Sequence, residues 1–81
     1  MPVVLTLYQT AGCHLCDKAK DILWPLLSEH QLIFQDQDIA ETDQLIDRYG
    51  VRIPVLAKPD GQELDWPFTS HDILSFLKLP V

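Results

Sequence analysis

Two cysteines, Cys13 and Cys16, are spaced C-x-x-C where a predicted strand gives way to a predicted helix. Residues Val3–Tyr8 are apolar and β-branched, which is typical of a strand. From Leu15 onward, apolar side chains recur at helical intervals. The thiols therefore fall at the N-terminus of the first helix, where free backbone N–H groups and the helix dipole favour an anion. We predict that Cys13 is a nucleophile whose pKa lies below that of an ordinary thiol.

The residues around this thiol suggest how the pair works. Attack of Cys13 on a substrate disulfide would form a mixed disulfide between the two. Cys16 lies one helical turn further on and is expected to be the more buried thiol, which then attacks Cys13 and releases the substrate. A disulfide between them closes too short a loop to stabilise the fold appreciably. A protonated His14 would stabilise the thiolate, although a solvated histidine at a helix start is an equally simple interpretation. Tyr8, at the end of the strand, is a candidate for lining the cleft beside Cys13.

Composition narrows the class of protein. The chain has 81 residues, which suits a single small domain over residues 1–81. Its net charge of −6 argues against sequence-independent nucleic-acid binding, which needs clustered cations. No apolar segment approaches the roughly 20 residues that span a bilayer, and no signal peptide is evident, so we expect a cytoplasmic protein without a membrane partner. We also expect it to be a monomer. In the cytoplasm a C-x-x-C pair is more often catalytic or metal-binding than structural.

The rest of the chain predicts six further elements. They are a helix over about His14–Ser28, strands over Leu32–Gln37, Ile53–Ala57 and Gln62–Trp66, a helix over Glu41–Tyr49, and a last helix that starts near Thr69 or Ser70. Pro25 predicts a kink or an early end of the first helix near Trp24. Gly50 is predicted to be a left-handed C-cap, and Asp60-Gly61 a tight turn between the last two strands. The order βαβαββα predicts an α/β fold in which three helices flank a four-stranded mixed sheet.

This order, with C-x-x-C after the first strand and Ile53-Pro54 opening the third, resembles the thioredoxin fold in its glutaredoxin-like form. The segments that carry the resemblance are Y-Q-T-A-G-C-H-L-C (residues 8–16), R-I-P-V (52–55) and L-D-W-P-F (64–68). The chain is most similar to a glutaredoxin-like family of small bacterial proteins with a C-H-L-C motif. The resemblance implies that the peptide bond before Pro54 is cis, that this proline faces the dithiol, and that the Ile53 backbone pairs with a substrate strand.

The resemblance makes glutathione one candidate partner, beside proteins that carry disulfides and other small thiols. Glutaredoxins that bind glutathione typically have a Thr-Val pair before this proline and a Gly-Gly-x-Asp stretch after the fourth strand. Arg52-Ile53 and the segment Asp65–Ser70 stand at those positions here, and both departures argue against glutathione. Arg52, Arg48 and Lys58 are the cations that we consider for attracting its carboxylates.

Three functions fit these observations. The first is a thiol–disulfide oxidoreductase, an enzyme that needs no cofactor. The second is a module that binds a metal or an iron–sulfur cluster. One C-x-x-C pair supplies only two thiolates, whereas structural zinc takes four ligands. A dimer, together with thiols from other molecules, could complete the ligands of a cluster. The third is a non-catalytic module that docks partners through the edge at Ile53-Pro54. The predicted site comprises the catalytic Cys13 and Cys16 and the substrate-binding residues His14, Tyr8, Arg52, Ile53 and Pro54.

Overall fold

A computed structural model of the protein describes residues 3–79 and contains, within them, four strands and three α-helices. The elements are β1 (Val3–Gln9), α1 (His14–His30), β2 (Leu32–Asp38), a 3₁₀ turn (Ile39–Glu41), α2 (Asp43–Tyr49), β3 (Val55–Ala57), β4 (Glu63–Asp65) and α3 (Ser70–Phe76). The predicted order βαβαββα is confirmed. None of the described helices combines the length and the apolar character that crossing a membrane requires.

The four strands form one mixed sheet in the order β2-β1-β3-β4. β1 runs parallel to β2 and antiparallel to β3, and β3 runs antiparallel to β4. This is a thioredoxin-like fold, as predicted. Tyr8 near the end of β1 pairs with Val55 at the start of β3, and Val55 pairs with Asp65 at the end of β4. These three positions therefore lie at the end of the sheet from which the chain continues to Cys13.

Apolar side chains occupy the two faces of the sheet unequally. Leu5, Leu7 and Leu56 point to one face, because side chains alternate along a strand, and all three are fully buried. They pack in one cluster with residues of α1 and α3, among them Leu23 and Ile73. The opposite face carries a smaller cluster of Ile39, Tyr49 and Val55, with Tyr8, Leu45 and Ile53 packed against it. This smaller cluster thus packs against the end of the sheet next to Cys13.

The first helix does not end early. α1 begins at His14 as predicted but continues through Pro25 to His30, so of the two predicted effects of Pro25, a kink or an early end near Trp24, the early end is wrong. Proline removes the hydrogen bond to the carbonyl of Asp21, one turn earlier. Asp21 and Pro25 are both exposed, so this carbonyl can be solvated, while buried leucines on the other side of the helix hold it on the sheet.

Gly50 ends α2 but is not left-handed, so that prediction is also wrong. Its backbone is right-handed (φ −53°, ψ −35°), and its N–H donates to the Ile46 carbonyl at 2.8 Å. A Cβ atom at this position would lie 2.5 Å from the Ile46 carbonyl oxygen. Glycine is needed here for close approach to the backbone rather than for a positive φ.

Other element boundaries also differ from the sequence prediction, and β1 and β2 each end one residue later than predicted. α2 begins at Asp43 rather than Glu41, because extended Thr42 is its N-cap and accepts a hydrogen bond from the Leu45 N–H at 3.1 Å. β3 begins at Val55 rather than Ile53. β4 covers only Glu63–Asp65 instead of Gln62–Trp66.

Candidate active site

The two cysteines lie at the N-terminus of α1 and form a disulfide, with their Cα atoms 5.2 Å apart. Cys13 is the N-cap residue, and its extended backbone (φ −87°, ψ 103°) holds its side chain beside the first turn. Cys13 is half-buried, whereas Cys16 is only 1% exposed. Cys13 is therefore the more accessible of the two sulfurs.

The first turn of α1 directs a hydrogen-bond donor at the Cys13 sulfur. The backbone N–H of Cys16 donates to Cys13 Sγ at 3.1 Å. This N–H has no carbonyl partner within the helix, and it lies at the positive end of the helix dipole. A Cys13 thiolate would receive the same N–H as a charge-assisted hydrogen bond, so this geometry favours the thiolate over the thiol.

Pro54 lies at the same end of the sheet as the dithiol. It is buried, and its peptide bond with Ile53 is cis, as the family resemblance implied. It directly precedes Val55, the partner of Tyr8, and only the segment 9–12 separates Tyr8 from Cys13. The Trp66-Pro67 peptide bond is also cis, which nothing in the sequence analysis indicated.

The backbone before Pro54 is already partly engaged within the protein. The N–H of Ile53 donates to the Tyr49 carbonyl at 3.0 Å, and the N–H of Arg52 donates to the same oxygen at 2.8 Å. The Pro54 carbonyl accepts from the Trp66 N–H at 3.2 Å. The expected pairing of the Ile53 backbone with a substrate strand is therefore restricted to the Ile53 carbonyl.

The ring of Tyr8 is part of an aromatic stack. It is stacked on the ring of Tyr49, with centroids 4.0 Å apart and planes at 14°. The Tyr49 hydroxyl donates a hydrogen bond to a Glu63 carboxylate oxygen. Burial and this hydrogen bond raise the pKa of Tyr49. The hydrogen bond from Tyr49, assisted by the neighbouring Arg52, outweighs burial and lowers the pKa of Glu63.

Arg52 is held by two carboxylates. Its Nη2 lies 2.7 Å from Asp65 Oδ1 and 2.8 Å from Glu63 Oε1, and its Nε donates to the other Asp65 oxygen at 3.3 Å. The hydrogen bonds to Asp65 and Glu63 raise the pKa of Arg52. We call Arg52, Glu63 and Asp65 the Arg52 clamp.

The other residues considered for substrate binding lie in different surroundings. His14 is the first residue of α1 and is exposed next to Cys13. Lys58 follows β3 at the opposite end of the sheet from Cys13, and its Nζ donates to the Phe76 carbonyl at 3.2 Å. Arg48 is exposed, with its Nη2 3.7 Å from Glu63. The structure thus removes Lys58 from the candidates for binding a substrate carboxylate beside Cys13.

Sequence reasoning missed Tyr49, Glu63 and Asp65 as residues of this region. A usable signal was present: the turn at Asp60-Gly61 fixes the register of the β3–β4 hairpin. The alternation of residues along β4 then places both carboxylates on one face of the sheet, with Asp65 opposite Val55 at the start of β3 and Glu63 opposite Ala57 at its end. In the part of the chain that the structure describes, no group of three or more His, Cys, Asp or Glu side chains is placed to hold a metal ion.

The hydrogen bond between Tyr49 and Glu63 predicts a pH-dependent contribution to stability. Tyr49→Phe should lower the free energy of unfolding at neutral pH by about 1.5–3 kcal/mol, the usual range for a hydrogen bond to a charged group. Because folding lowers the pKa of Glu63, this stabilisation is present above the unfolded pKa of about 4.3 and is lost as the pH falls through the folded value. Urea unfolding between acid and neutral pH measures both effects, and the variant should lose less stability in acid than the wild type.

A double-mutant cycle isolates the pair. In a Glu63→Gln background the same tyrosine substitution should have a clearly smaller effect on the free energy of unfolding. An equal loss in both backgrounds would show that the stability contributed by the Tyr49 hydroxyl does not depend on the Glu63 carboxylate.

The fold and the dithiol together define a class of protein. A C-x-x-C pair at the first helix of a thioredoxin-like sheet is the arrangement of a redox-type module. The sequence model of the family described as Glutaredoxin-like domain (DUF836) matches residues 4–78. The chain belongs to this glutaredoxin-like family, as the sequence resemblance indicated.

Solved structures of other proteins have the same fold. The crystal structure of protein XcR50 from X. campestris is 40% identical, with a TM-score of 0.79 over 91% of this chain and 95% of that one. The solution structure of protein Ne2328 from Nitrosomonas europaea is 27% identical, with a TM-score of 0.81 over 94% of this chain and 92% of that one. A malarial protein that is 14% identical, with a TM-score of 0.72 and 96% of each chain covered, shows likeness of fold alone.

Proposed function

We propose that the protein is a thiol–disulfide oxidoreductase in which Cys13 attacks the substrate and Cys16 resolves the intermediate. One observation carries this proposal. Cys13, a half-buried residue, lies at the N-terminus of a 17-residue helix and its sulfur accepts the Cys16 N–H, and the buried Cys16 sulfur is bonded directly to it. An accessible sulfur stabilised as an anion, with a second sulfur within bonding distance, is what a two-step disulfide exchange requires.

The reaction is balanced without a cofactor. The Cys13 thiolate attacks one sulfur of the substrate disulfide; a bond forms between these two sulfurs, the substrate S–S bond breaks, and the departing thiolate takes a proton from solvent. The Cys16 thiol then loses its proton to solvent, and the resulting thiolate attacks the Cys13 sulfur. The bond between Cys13 and the substrate sulfur breaks, and the second substrate thiolate leaves and takes a proton from solvent. Two electrons pass from the dithiol to the substrate, which becomes two thiols, while the protein becomes the Cys13–Cys16 disulfide. Two external thiol groups, small or protein-borne, restore the dithiol by the reverse steps and are themselves oxidised to a disulfide.

The end of the sheet next to Cys13 supplies the surroundings for a substrate. Pro54 and the Ile53 carbonyl lie at this end, and the exposed His14 is adjacent to the nucleophile in the chain. Tyr8 also lies at this end of the sheet, where its ring stacks on the ring of Tyr49. We assign Ile53 and Pro54 to contact with the substrate, and Tyr8 to positioning of that edge.

Trapping of the mixed disulfide tests the proposal. Cys16→Ser, mixed in reduced form with hydroxyethyl disulfide, should gain one hydroxyethylthio adduct at Cys13 and stop there, because no second thiol is present to release it. The wild type should proceed to the internal disulfide and show no stable adduct. Peptide mass spectrometry distinguishes these products.

Cys13→Ser is the matched control for trapping. The buried Cys16 that it retains should react at most slowly, so little adduct should form. Rapid adduct formation at Cys16, or none at Cys13 of the Cys16→Ser variant, would overturn the assigned roles.

A further inference from the structure

The Arg52 clamp lies where a charged substrate would meet the protein. Arg52 comes two residues before Pro54, and Asp65 pairs with Val55, which also pairs with Tyr8. Arg52 and Asp65 therefore share the end of the sheet that leads to Cys13, whereas Glu63 pairs with Ala57 at the other end of β3 and reaches Arg52 through its side chain. A substrate bound along the Ile53 carbonyl would place its flanking groups near the Arg52 guanidinium and the carboxylates that hold it.

Two of the three guanidinium nitrogens of Arg52, Nε and Nη2, are already engaged by carboxylates. The guanidinium contacts both oxygens of Asp65, at 2.7 and 3.3 Å, and one oxygen of Glu63 at 2.8 Å. Glu63 is itself fixed by Tyr49, and its side chain is only 17% exposed. An incoming carboxylate that approaches the remaining nitrogen, Nη1, would meet a guanidinium whose charge is already offset by two carboxylates, and both carboxylates would repel it.

Backbone donors are restricted in the same region. The N–H groups of Arg52 and Ile53 are both taken by the Tyr49 carbonyl. A small peptide disulfide that pairs with this edge is thus left with the Ile53 carbonyl as an acceptor and gains no N–H donor from that residue. This edge therefore offers fewer hydrogen bonds to an anionic tripeptide such as glutathione.

We propose that Glu63 and Asp65 are specificity determinants, which disfavour disulfides flanked by carboxylates and favour those flanked by neutral or cationic groups. This inference rests on the proposed function and names its substrate class. The two carboxylates act by neutralising Arg52 and by presenting negative charge beside the substrate edge. The disulfide exchange itself is the reaction described above.

Three small disulfides of different charge test the proposal: oxidised glutathione (anionic), hydroxyethyl disulfide (neutral) and cystamine (cationic). The oxidation rate of the reduced protein is measured with each of them and divided by the rate of the same disulfide with dithiothreitol, which corrects for intrinsic reactivity. In the wild type, the corrected rate for oxidised glutathione should be lower than that for hydroxyethyl disulfide by about fivefold or more, as expected for screened surface charges. Cystamine should react at least as fast as the neutral disulfide.

Releasing Arg52 should reverse this preference. In the double variant Glu63→Gln/Asp65→Asn, the corrected rate for oxidised glutathione relative to the neutral disulfide should rise by about fivefold. The matched control, Asp21→Asn/Glu29→Gln, removes two exposed acids of α1 outside the clamp and should preserve the wild-type order. Asp65→Asn alone, at a half-exposed side chain, provides a milder variant if the double variant does not fold.

The outcomes separate this inference from the proposed function. Equal corrected rates for the three disulfides in the wild type, or an unchanged preference after the clamp is opened, would overturn the specificity assignment and leave the oxidoreductase intact. No reaction with any of the three disulfides would overturn the oxidoreductase itself, and the specificity with it.

Discussion

Cys13→Ser is expected to reduce the rate of hydroxyethyl disulfide reduction by about a thousandfold or more, because a serine hydroxyl is almost never ionised at neutral pH. The helix N-terminus and the Cys16 N–H that stabilise a thiolate cannot compensate for so weak an acid. Steady-state turnover with dithiothreitol as the reductant measures this loss. The substituted side chain is of similar size and half-buried, so the fold should be retained.

The Cys16→Ser variant provides the comparison for this loss. It should retain the first attack and lose turnover mainly through the missing resolving step. A Cys13→Ser protein that reduces the disulfide as fast as the wild type would contradict the proposed chemistry and favour a docking module that does not use its thiols.

Leu56→Ala is expected to lower the free energy of unfolding by about 2–5 kcal/mol, the range for a large apolar residue removed from a core. Leu56 is fully buried in the middle of β3 and pairs with Leu7 on one side and Leu64 on the other. Its side chain packs in the apolar cluster that includes residues of the sheet, α1 and α3. Urea denaturation measures the loss.

Val51→Ala is the control for the core substitution, because Val51 is fully exposed. Its effect on the free energy of unfolding should remain within about 0.5 kcal/mol. Similar losses for both substitutions would show that the cluster around Leu56 does not dominate the stability of the fold.

The features that sequence predicted well depend on local pattern. The strand ending near Tyr8, the helix beginning at His14 and the turn at Asp60-Gly61 all follow from residues close to one another in the chain. The order of strands and helices along the chain then leaves few possible topologies for the sheet. The placement of Cys13 at the N-terminus of α1 followed from the same local patterns, so the centre of the candidate site was accessible to sequence reasoning.

The features that sequence missed depend on tertiary contacts. Pro25 failed to end α1 because the packing of neighbouring leucines on the sheet outweighs one lost hydrogen bond. The Arg52 clamp joins the turn after α2 to β4, residues that only the folded sheet brings together. The hydrogen bond from the Ile53 N–H to Tyr49 likewise depends on how the turn after α2 closes. The alternation along β4 indicates that the two carboxylates share a face, but no pattern in the sequence indicates that they meet Arg52 and Tyr49.

The pKa of Cys13 in the Cys16→Ser variant is the most direct test of the central claim, that α1 stabilises an accessible thiolate. This variant keeps the backbone N–H that donates to the Cys13 sulfur, and it leaves a single thiol to titrate by its ultraviolet absorbance. We predict a pKa clearly below the value of about 8.5 for a free cysteine. A value at or above 8.5 would contradict the claim, because the helix N-terminus would then provide no stabilisation of the nucleophile.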